Sequence, residues 1–151
     1  MKSYPIFVTL LVGILTGCSS ISKFENRPRL GDAIVRYENP KAGGLAAGDA
    51  FVYIEGIDGA ATGWERNDAA YHVQPGKHRL ALFVSAGTSQ QAQEYFYMEA
   101  TADQKYRLRA TRKGRDFIVA LANDTNPGAI AVIATVEMKG TEAYRPPPVS
   151  N

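Results

Sequence analysis

Cysteine is almost absent from this 151-residue chain, in which Cys18 is the only one. One cysteine excludes an internal disulfide, although exported domains normally use cysteines in pairs. Histidine is also scarce, with only His72 and His78. The chain lacks a Gly-x-Ser-x-Gly elbow and any recognisable spacing of Ser, His and Asp for nucleophilic catalysis. We therefore expect no enzyme activity and no cofactor.

An excess of charge of one sign is missing as well. The chain has 17 basic and 15 acidic residues. Because the two signs nearly balance, the charge gives no electrostatic reason to expect a nucleic-acid partner or a general membrane-surface role. Helical periodicity is missing too, since no stretch of about 11 residues shows an apolar stripe at helical spacing. We find no internal repeat. These absences leave one small domain, rich in β-strands, as the expected class.

What the chain does have begins at its N-terminus. Lys2 precedes an uncharged and mostly apolar run, Ile6 to Leu15, which is too short to span a bilayer as a helix. A charged start, a short apolar segment and small residues before a cleavage point are the parts of a secretory signal. The Leu15-Thr16-Gly17-Cys18 ending resembles the bacterial lipobox. The resemblance implies that residues 1–17 are removed and that Cys18 becomes the lipidated first residue, which would also explain the unpaired thiol.

The resemblance to bacterial lipoproteins also implies a location. Such proteins carry diacylglycerol on the cysteine sulfur and a further acyl chain on its nitrogen, and several chains together hold a protein stably on a bilayer. Ser19 follows the cysteine in place of aspartate, which in the sorting rule of enteric-type bacteria implies the outer membrane, with the domain facing the periplasm. We expect a flexible tether over residues 18–32, a folded domain over 33–140 and a disordered, proline-rich tail over 141–151.

Eight segments have the residue types and the turn boundaries of strands. They are residues 33–37, 51–55, 70–74, 78–85, 93–101, 105–111, 116–122 and 129–138. Turn signals such as Asp58-Gly59 and Pro75-Gly76 separate them. The pattern predicts an all-β fold, a single antiparallel β-sandwich of about 7–8 strands. Residues 93–101 and 105–111 are expected to form a hairpin around Ala102-Asp103.

Part of this region resembles a known family. The run FVYIEGIDG, followed after a loop by YHVQPGKHRLALFV, is similar to the PEGA-type and related small lipoprotein β-sandwiches of Gram-negative bacteria, in which an IDG turn precedes L-x-P-G-x-H-x-L-x-V. The later run FYMEATADQKYRLRA resembles their F-x-A-x-A-G-x-x-Y-x-L segment, with Gln104 where a glycine is usual. The resemblance covers roughly Gly48 to Asp124. It implies an immunoglobulin- or prealbumin-like sandwich and specifies no chemistry.

Basic residues are concentrated in one predicted strand and the turn after it. They are Lys105, Arg107, Arg109, Arg112, Lys113 and Arg115. The first three alternate and therefore share one face of the strand. One interpretation is a solvated face, partly neutralised by acids such as Glu94 or Glu99 on a neighbouring strand. The other is a site for an anionic partner, such as lipid head groups, peptidoglycan carboxylates or an acidic protein, which arginine binds through its bidentate fork.

The two histidines raise the alternative of a metal site. With a third ligand such as Glu65 or Asp68 from the preceding loop, His72 and His78 would have the donor set of a zinc or copper site. Histidines beside a turn are more often surface or hydrogen-bonded residues, and we expect no metal. Residues 123–128 are likewise expected to form a turn, since they lack the ligand spacing of a calcium loop.

Tyr95 and Tyr97 alternate with Phe96 and Met98, so one of the two faces of this strand is expected in the core and the tyrosines are candidates for contact with a partner. The expected function is that of a non-enzymatic outer-membrane lipoprotein whose periplasmic β-sandwich acts as an interaction or envelope-structural module. We expect it to contact the membrane through the lipid on Cys18 and to have a protein or envelope-polymer partner. The alternatives are a binding module for an anionic envelope component, through the basic strand, and a periplasmic metal-binding protein.

Overall fold

The computed structural model describes residues 22–40, 48–63, 69–87 and 90–142. Cys18 and the predicted signal peptide lie outside these residues, as does most of the predicted tail. The described part is all-β, as predicted, and we find in it no helix that could cross a membrane. Its strands are β1 (Ala33–Tyr37), β2 (Asp49–Ile57), β3 (Ala60–Ala61), β4 (Ala70–Val73), β5 (Gly76–Ala86), β6 (Gln90–Ala100), β7 (Lys105–Lys113), β8 (Asp116–Asn123), β9 (Ala131–Met138) and β10 (Thr141–Glu142).

Alternation of buried and exposed residues explains why these segments are strands. In β8, Phe117, Val119 and Leu121 are buried on one face, whereas Ile118 and Ala120 are half-buried on the other. This period of two is what a strand requires when one of its faces covers a core. Each of the eight predicted segments overlaps one of the longer strands. The two-residue strands β3 and β10 have no signal of their own in the sequence.

The strands form one mixed sheet, in which β2 joins two halves. The order is β10-β6-β5-β2-β7-β1-β4, with β3 beside β2, and with β8 and β9 continuing outward from β7. Asp49 and Ala50 of β2 pair with β7, whereas the rest of β2, from Phe51 to Ile57, pairs with β5. Strand β2 therefore passes from one half of the sheet to the other within two residues.

Two predictions about the strands are wrong, one about their orientation and one about their pairing. Strand β1 runs parallel to β7, so the fold is not purely antiparallel; the long stretch of chain between these strands permits this arrangement. Strands β6 and β7 do not form a hairpin, because β6 pairs with β5 along its whole length. Residues 101–104 instead carry the chain from β6 in one half of the sheet to β7 in the other.

The Asp58-Gly59 turn forms as predicted. Ile57 pairs with Ala60 across it, and Asp58 and Gly59 have φ angles of 53° and 86°. Positive φ at both central residues is the geometry of a two-residue type I′ hairpin, which glycine adopts without strain and aspartate tolerates. This turn marks one end of the fold.

The pairing register assigns several of the described turns to one of two ends of the fold. Gly76 pairs with Ala100, and Ile34 and Asn123 are paired at the start of β7. The end that holds residues 58–59, 74–75, 101–104 and 124–130 is called the Gly59 end below. The opposite end, called the Gly114 end, holds the β7–β8 turn at residues 114–115 and the segment 139–140.

Nearly all of the buried apolar residues belong to one hydrophobic cluster. It takes its buried residues from both halves, including Leu80 and Leu82 of β5 and Leu108 of β7. Transfer of a large apolar side chain into such a core contributes about 1.5–3 kcal/mol. The two halves are therefore held together by a shared core as well as by β2.

Residues 22–26, from the segment predicted as a tether, contact the fold. The backbone N–H of Phe24 donates to the carbonyl of Ala61 at 2.7 Å, and the N–H of Ala61 donates to the carbonyl of Ser22 at 2.8 Å. The Phe24 ring packs edge-on to Tyr71 of β4, with centroids 6.0 Å apart. Leu30, in contrast, is fully exposed at 105%. Residues 22–26 of the predicted tether are thus attached between β3 and β4.

We predict that Gly140→Ala destabilises the protein. A Cβ at Gly140 would lie 1.8 Å from the carbonyl oxygen of Arg115 and 3.3 Å from the Phe117 ring, so the backbone has to move. Overpacking of this kind costs about 1–3 kcal/mol or more, and thermal unfolding of the full chain, followed by circular dichroism, measures it. Gly128→Ala is the matched control, because its Cβ would meet only the Asn126 side chain at 3.5 Å. Equal melting temperatures of the two variants would contradict the prediction.

Candidate functional site

Strand β7 places the predicted basic residues along the length of the fold. Lys105, Arg107 and Arg109 share the face of β7 opposite to the buried residues Tyr106, Leu108 and Ala110, as their spacing predicts. Lys105 lies at the Gly59 end, whereas Arg112, Lys113 and Arg115 lie at the Gly114 end. The six cations therefore do not form one patch but extend from one end of the molecule to the other.

Arg107 is neutralised by acids that the sequence analysis did not identify. Its guanidinium lies 2.8 Å from a carboxylate oxygen of Glu38 and 3.3 Å from one of Asp124. Asp124 is 5% exposed and also forms an ion pair with Arg36 of β1. The acids proposed from the sequence, Glu94 and Glu99, lie on β6, which is not a neighbour of β7.

Asp124 is thus a buried carboxylate held between two arginines. The parallel pairing of β1 with β7 places Arg36 directly beside Arg107, and the backbone N–H of Asp124 donates to the carbonyl of Lys105 at 2.7 Å. Like charges on neighbouring strands repel each other, and the carboxylate compensates for that repulsion. The sequence signal for this role is weak, because Asp124 stands in a run of turn-forming residues.

Four of the remaining cations are exposed and extend from Arg109 in the middle of β7 to the Gly114 end. Arg109, Lys113 and Arg115 form no ion pair with any residue in the described ranges, and Arg112 donates from Nε to the carbonyl of Gly114 at 2.8 Å. These four residues are called the Gly114-end cations below.

Another cation at the Gly114 end, Lys139, is paired with acidic residues. The Lys139 ammonium lies 2.9 Å from Asp116 and 3.7 Å from Glu137. The hydrogen bond from Lys139 lowers the pKa of Asp116, and the hydrogen bond from the backbone N–H of Gly140 acts in the same direction. Asp116 therefore stays ionised and paired with Lys139.

Both histidines line a groove of about 290 Å³ at the Gly59 end. His78 Nδ1 lies 2.7 Å from Asp58 Oδ2, and His78 Nε2 lies 2.6 Å from the carbonyl oxygen of Gln74. A carboxylate and a carbonyl only accept hydrogen bonds, so both bonds form together only when the ring carries two protons. The Pro75-Gly76 turn does not join β4 and β5 into a hairpin: β4 pairs with β1, and β5 pairs with β2 and β6.

The groove contains no complete metal-ligand set in the part of the chain that is described, where no three His, Cys, Asp or Glu side chains lie close enough to hold an ion. Glu65 and Asp68, the proposed third ligands, lie outside the described residues. To bind a metal through one ring nitrogen, His78 would have to release the partner on that nitrogen, Asp58 on Nδ1 or the Gln74 carbonyl on Nε2.

Asp58 connects the β2–β3 turn to β5. Its carboxylate accepts hydrogen bonds from the backbone N–H of Arg79 at 2.9 Å and from His78. Burial alone would raise the pKa of Asp58, but these hydrogen bonds and the nearby charges of His78 and Arg79 outweigh it, so that the pKa lies below its ordinary value of 3.8.

Tyr95 and Tyr97 are exposed on β6, at 53% and 71%, whereas Phe96 and Met98 are buried. This assignment of the two faces agrees with the sequence analysis. The Arg79 guanidinium lies 4.8 Å from the centroid of the Tyr95 ring, within the range of a cation–π contact. Tyr97 is the more exposed of the two and is the better candidate for contact with a partner.

We compared the chain with protein-family models, with curated proteins and with solved structures, and none of the three comparisons finds a match.

We predict that Asp124→Asn destabilises the fold by about 1.5–3 kcal/mol, because hydrogen bonds to a charged, buried group are lost. Arg36 would lose its carboxylate partner, and Arg107 would keep only Glu38. Glu38→Gln removes the other carboxylate from Arg107, but Glu38 is 51% exposed, so its loss should cost less than about 1 kcal/mol. Urea unfolding of the two full-length variants measures both values. A cost for Glu38→Gln that equals or exceeds the cost for Asp124→Asn would contradict the assignment.

The lowered pKa of Asp58 predicts a pH-dependent contribution to stability. Because the folded-state pKa lies below that of the unfolded chain, the contribution is complete above about pH 5 and is lost as the pH falls through the folded-state pKa. The melting temperatures of the wild type and Asp58→Asn should therefore differ at neutral pH and converge once the pH has fallen below the folded-state pKa of Asp58. Asp103→Asn is the control. Asp103 also has a positive φ, of 59°, but its carboxylate accepts no hydrogen bond from a described residue. A difference for Asp58→Asn that persists unchanged in acid would contradict the prediction.

Proposed function

We propose that the protein is a non-enzymatic lipoprotein of the outer membrane, anchored through Cys18, and that its β-domain binds an anionic envelope polymer in the periplasm. The Gly114-end cations form the binding surface. The carboxylates of peptidoglycan are the partner chemistry that suits them, because guanidinium groups bind carboxylates through paired hydrogen bonds. The lipobox-like ending at Cys18 carries the localisation part of this proposal.

The observation that carries the binding part is the unequal pairing of the six cations. Arg107 is held by Asp124 and Glu38, whereas Arg109, Lys113 and Arg115 are exposed, with no ion pair to a described residue. Cations without a local counter-charge attract an anionic partner, and those already neutralised do not. Of the six, Lys105 at the Gly59 end also forms no ion pair with a described residue, but Arg109, Lys113 and Arg115 form a group that extends from the middle of β7 to the β7–β8 turn.

A two-layer sandwich is the arrangement we propose for the sheet. The transfer of β2 from β7 to β5, and a core cluster drawn from both halves of the sheet, support it. In this arrangement the turns gather at the two ends of the layers. Turns at the end of a rigid scaffold are a usual place for binding residues.

Binding is tested with purified peptidoglycan sacculi. Reversal of Arg109, Lys113 and Arg115 to glutamate should reduce sedimentation of the full chain with sacculi by at least tenfold and remove its salt dependence. Reversal of Lys23, Arg29 and Lys77, which are exposed on other elements, changes the net charge equally and should leave binding within twofold. Equal losses in the two triple variants would contradict a site at the Gly114 end, and binding that neither variant alters would contradict an electrostatic site.

Lipidation is tested on the full chain produced in bacterial cells. The mass of the N-terminal peptide should show a diacylglycerol-modified Cys18, and Cys18→Ser should accumulate as an uncleaved precursor. A Cys18→Ser variant that is cleaved after Gly17 and reaches the outer membrane would contradict the anchor.

A further inference from the structure

The docked segment at residues 22–26 closes the side of the fold between β3 and β4. On the β3 side it makes the two backbone hydrogen bonds with Ala61 described above. On the β4 side, the Asn26 side chain donates from Nδ2 to the carbonyl of Ala70 at 2.8 Å and accepts through Oδ1 from the N–H of His72 at 2.9 Å. The chain is thus attached to both sheet edges within five residues.

The pairing also gives the direction in which the chain leaves the fold toward its N-terminus. Lys23 is bridged to Ala61 in the parallel sense, so Ser22 lies on the Ala60 side of this bridge. Ala60 follows directly after the Asp58-Gly59 turn. The chain that precedes Ser22 therefore leaves at the Gly59 end.

Only a short length of chain separates this point from the proposed anchor. Cys18 to Ser22 is four peptide steps, which span at most about 14 Å when fully extended. A tether that was free up to Ala33 would have 15 steps and a reach of about 50 Å. Docking at Ser22 therefore removes most of the reach and keeps the Gly59 end beside the lipid.

The Gly59 end also presents exposed apolar side chains. Leu30 lies in the loop that leads into β1, and Ile130, which is 47% exposed, ends the loop before β9. Charge at this end is mixed, with Lys77 and Lys105 exposed and with Glu99 and Asp103 also exposed. An apolar contact with the bilayer interface fits these residues better than a purely electrostatic one.

We propose that the Gly59 end, with Leu30 and Ile130, lies against the lipid surface that holds Cys18, and that the Gly114 end faces away from it. The inference rests on the lipidation of Cys18 proposed above. It adds an orientation to that proposal: the docked segment acts as a strap that fixes which end of the fold meets the membrane and leaves the Gly114-end cations free for a partner at a distance.

The orientation is tested with fluorescent labels on the lipidated full chain in vesicles of phosphatidylethanolamine and phosphatidylglycerol. Lys77→Cys at the Gly59 end and Lys113→Cys at the Gly114 end are a matched pair of exposed lysines, and each introduces the only free thiol once Cys18 is acylated. Quenchers attached to the lipid should quench the label at position 77 at least threefold more strongly than the label at position 113. Equal quenching, or stronger quenching at position 113, would overturn the proposed orientation.

Two further variants test the cause of the orientation. A flexible ten-residue insertion after Ser20 leaves the described fold intact and should bring the quenching ratio toward one, because the strap then no longer limits the distance. Leu30→Ser should lower quenching at position 77. If neither variant changes the ratio, the roles of the strap and of Leu30 are wrong.

The mass of the N-terminal peptide, measured on the same samples, separates this inference from the proposed function. An unmodified Cys18 would overturn the lipoprotein proposal itself. A lipidated Cys18 together with equal quenching at the two positions would overturn only the orientation.

Discussion

Strand β2 exchanges its hydrogen-bonding partner between Ala50 and Phe51, from β7 to β5, and the rest of the structure depends on this exchange. It joins the two halves of the sheet, so that their buried faces share one core cluster. The pairing with β5 shifts register between Ile54 and Gly56, and a Cβ at Gly56 would lie 3.1 Å from the carbonyl oxygen of Ala60. A side chain at position 56 would therefore require the backbone at Ala60 to shift by a few tenths of an ångström. Because β3 in turn binds Ser22 and Phe24, the position of the N-terminal segment follows from the same strand.

The buried carboxylate of Asp124 determines which of the basic residues on β7 are neutralised. It brings Arg36 and Arg107 together on neighbouring strands, which costs little only because an acid lies between them. Arg107 is therefore part of a stabilising network, whereas Arg109, Lys113 and Arg115 have no ion pair to a described residue. The network and the binding surface that we propose thus come from the same run of basic residues.

Several features were predictable because they depend on local chemistry. Alternating apolar residues predict the longer strands, and Asp58-Gly59 predicts a tight hairpin, because positive φ at both positions suits these residue types. The exposed face of β6, with Tyr95 and Tyr97, follows from the period of two. Pairing was not predictable in the same way. Residues 93–101 and 105–111 are close in sequence and have suitable strand patterns, yet β6 pairs with β5, and the partner of β1 is β7, which is distant in sequence.

By itself, the sequence determined the all-β class, the Asp58-Gly59 turn and the common face of Lys105, Arg107 and Arg109, since each depends on residues that are close together in the chain. Tertiary structure alone decided which strands are neighbours, which arginines are neutralised and where the N-terminal segment is attached. The physical reason is that strand edges offer the same backbone N–H and C=O groups whatever their side chains. Which strands pair therefore depends on how well their apolar side chains pack together in the core. Asp124, Arg36 and Arg107 come into contact only as a result of that pairing.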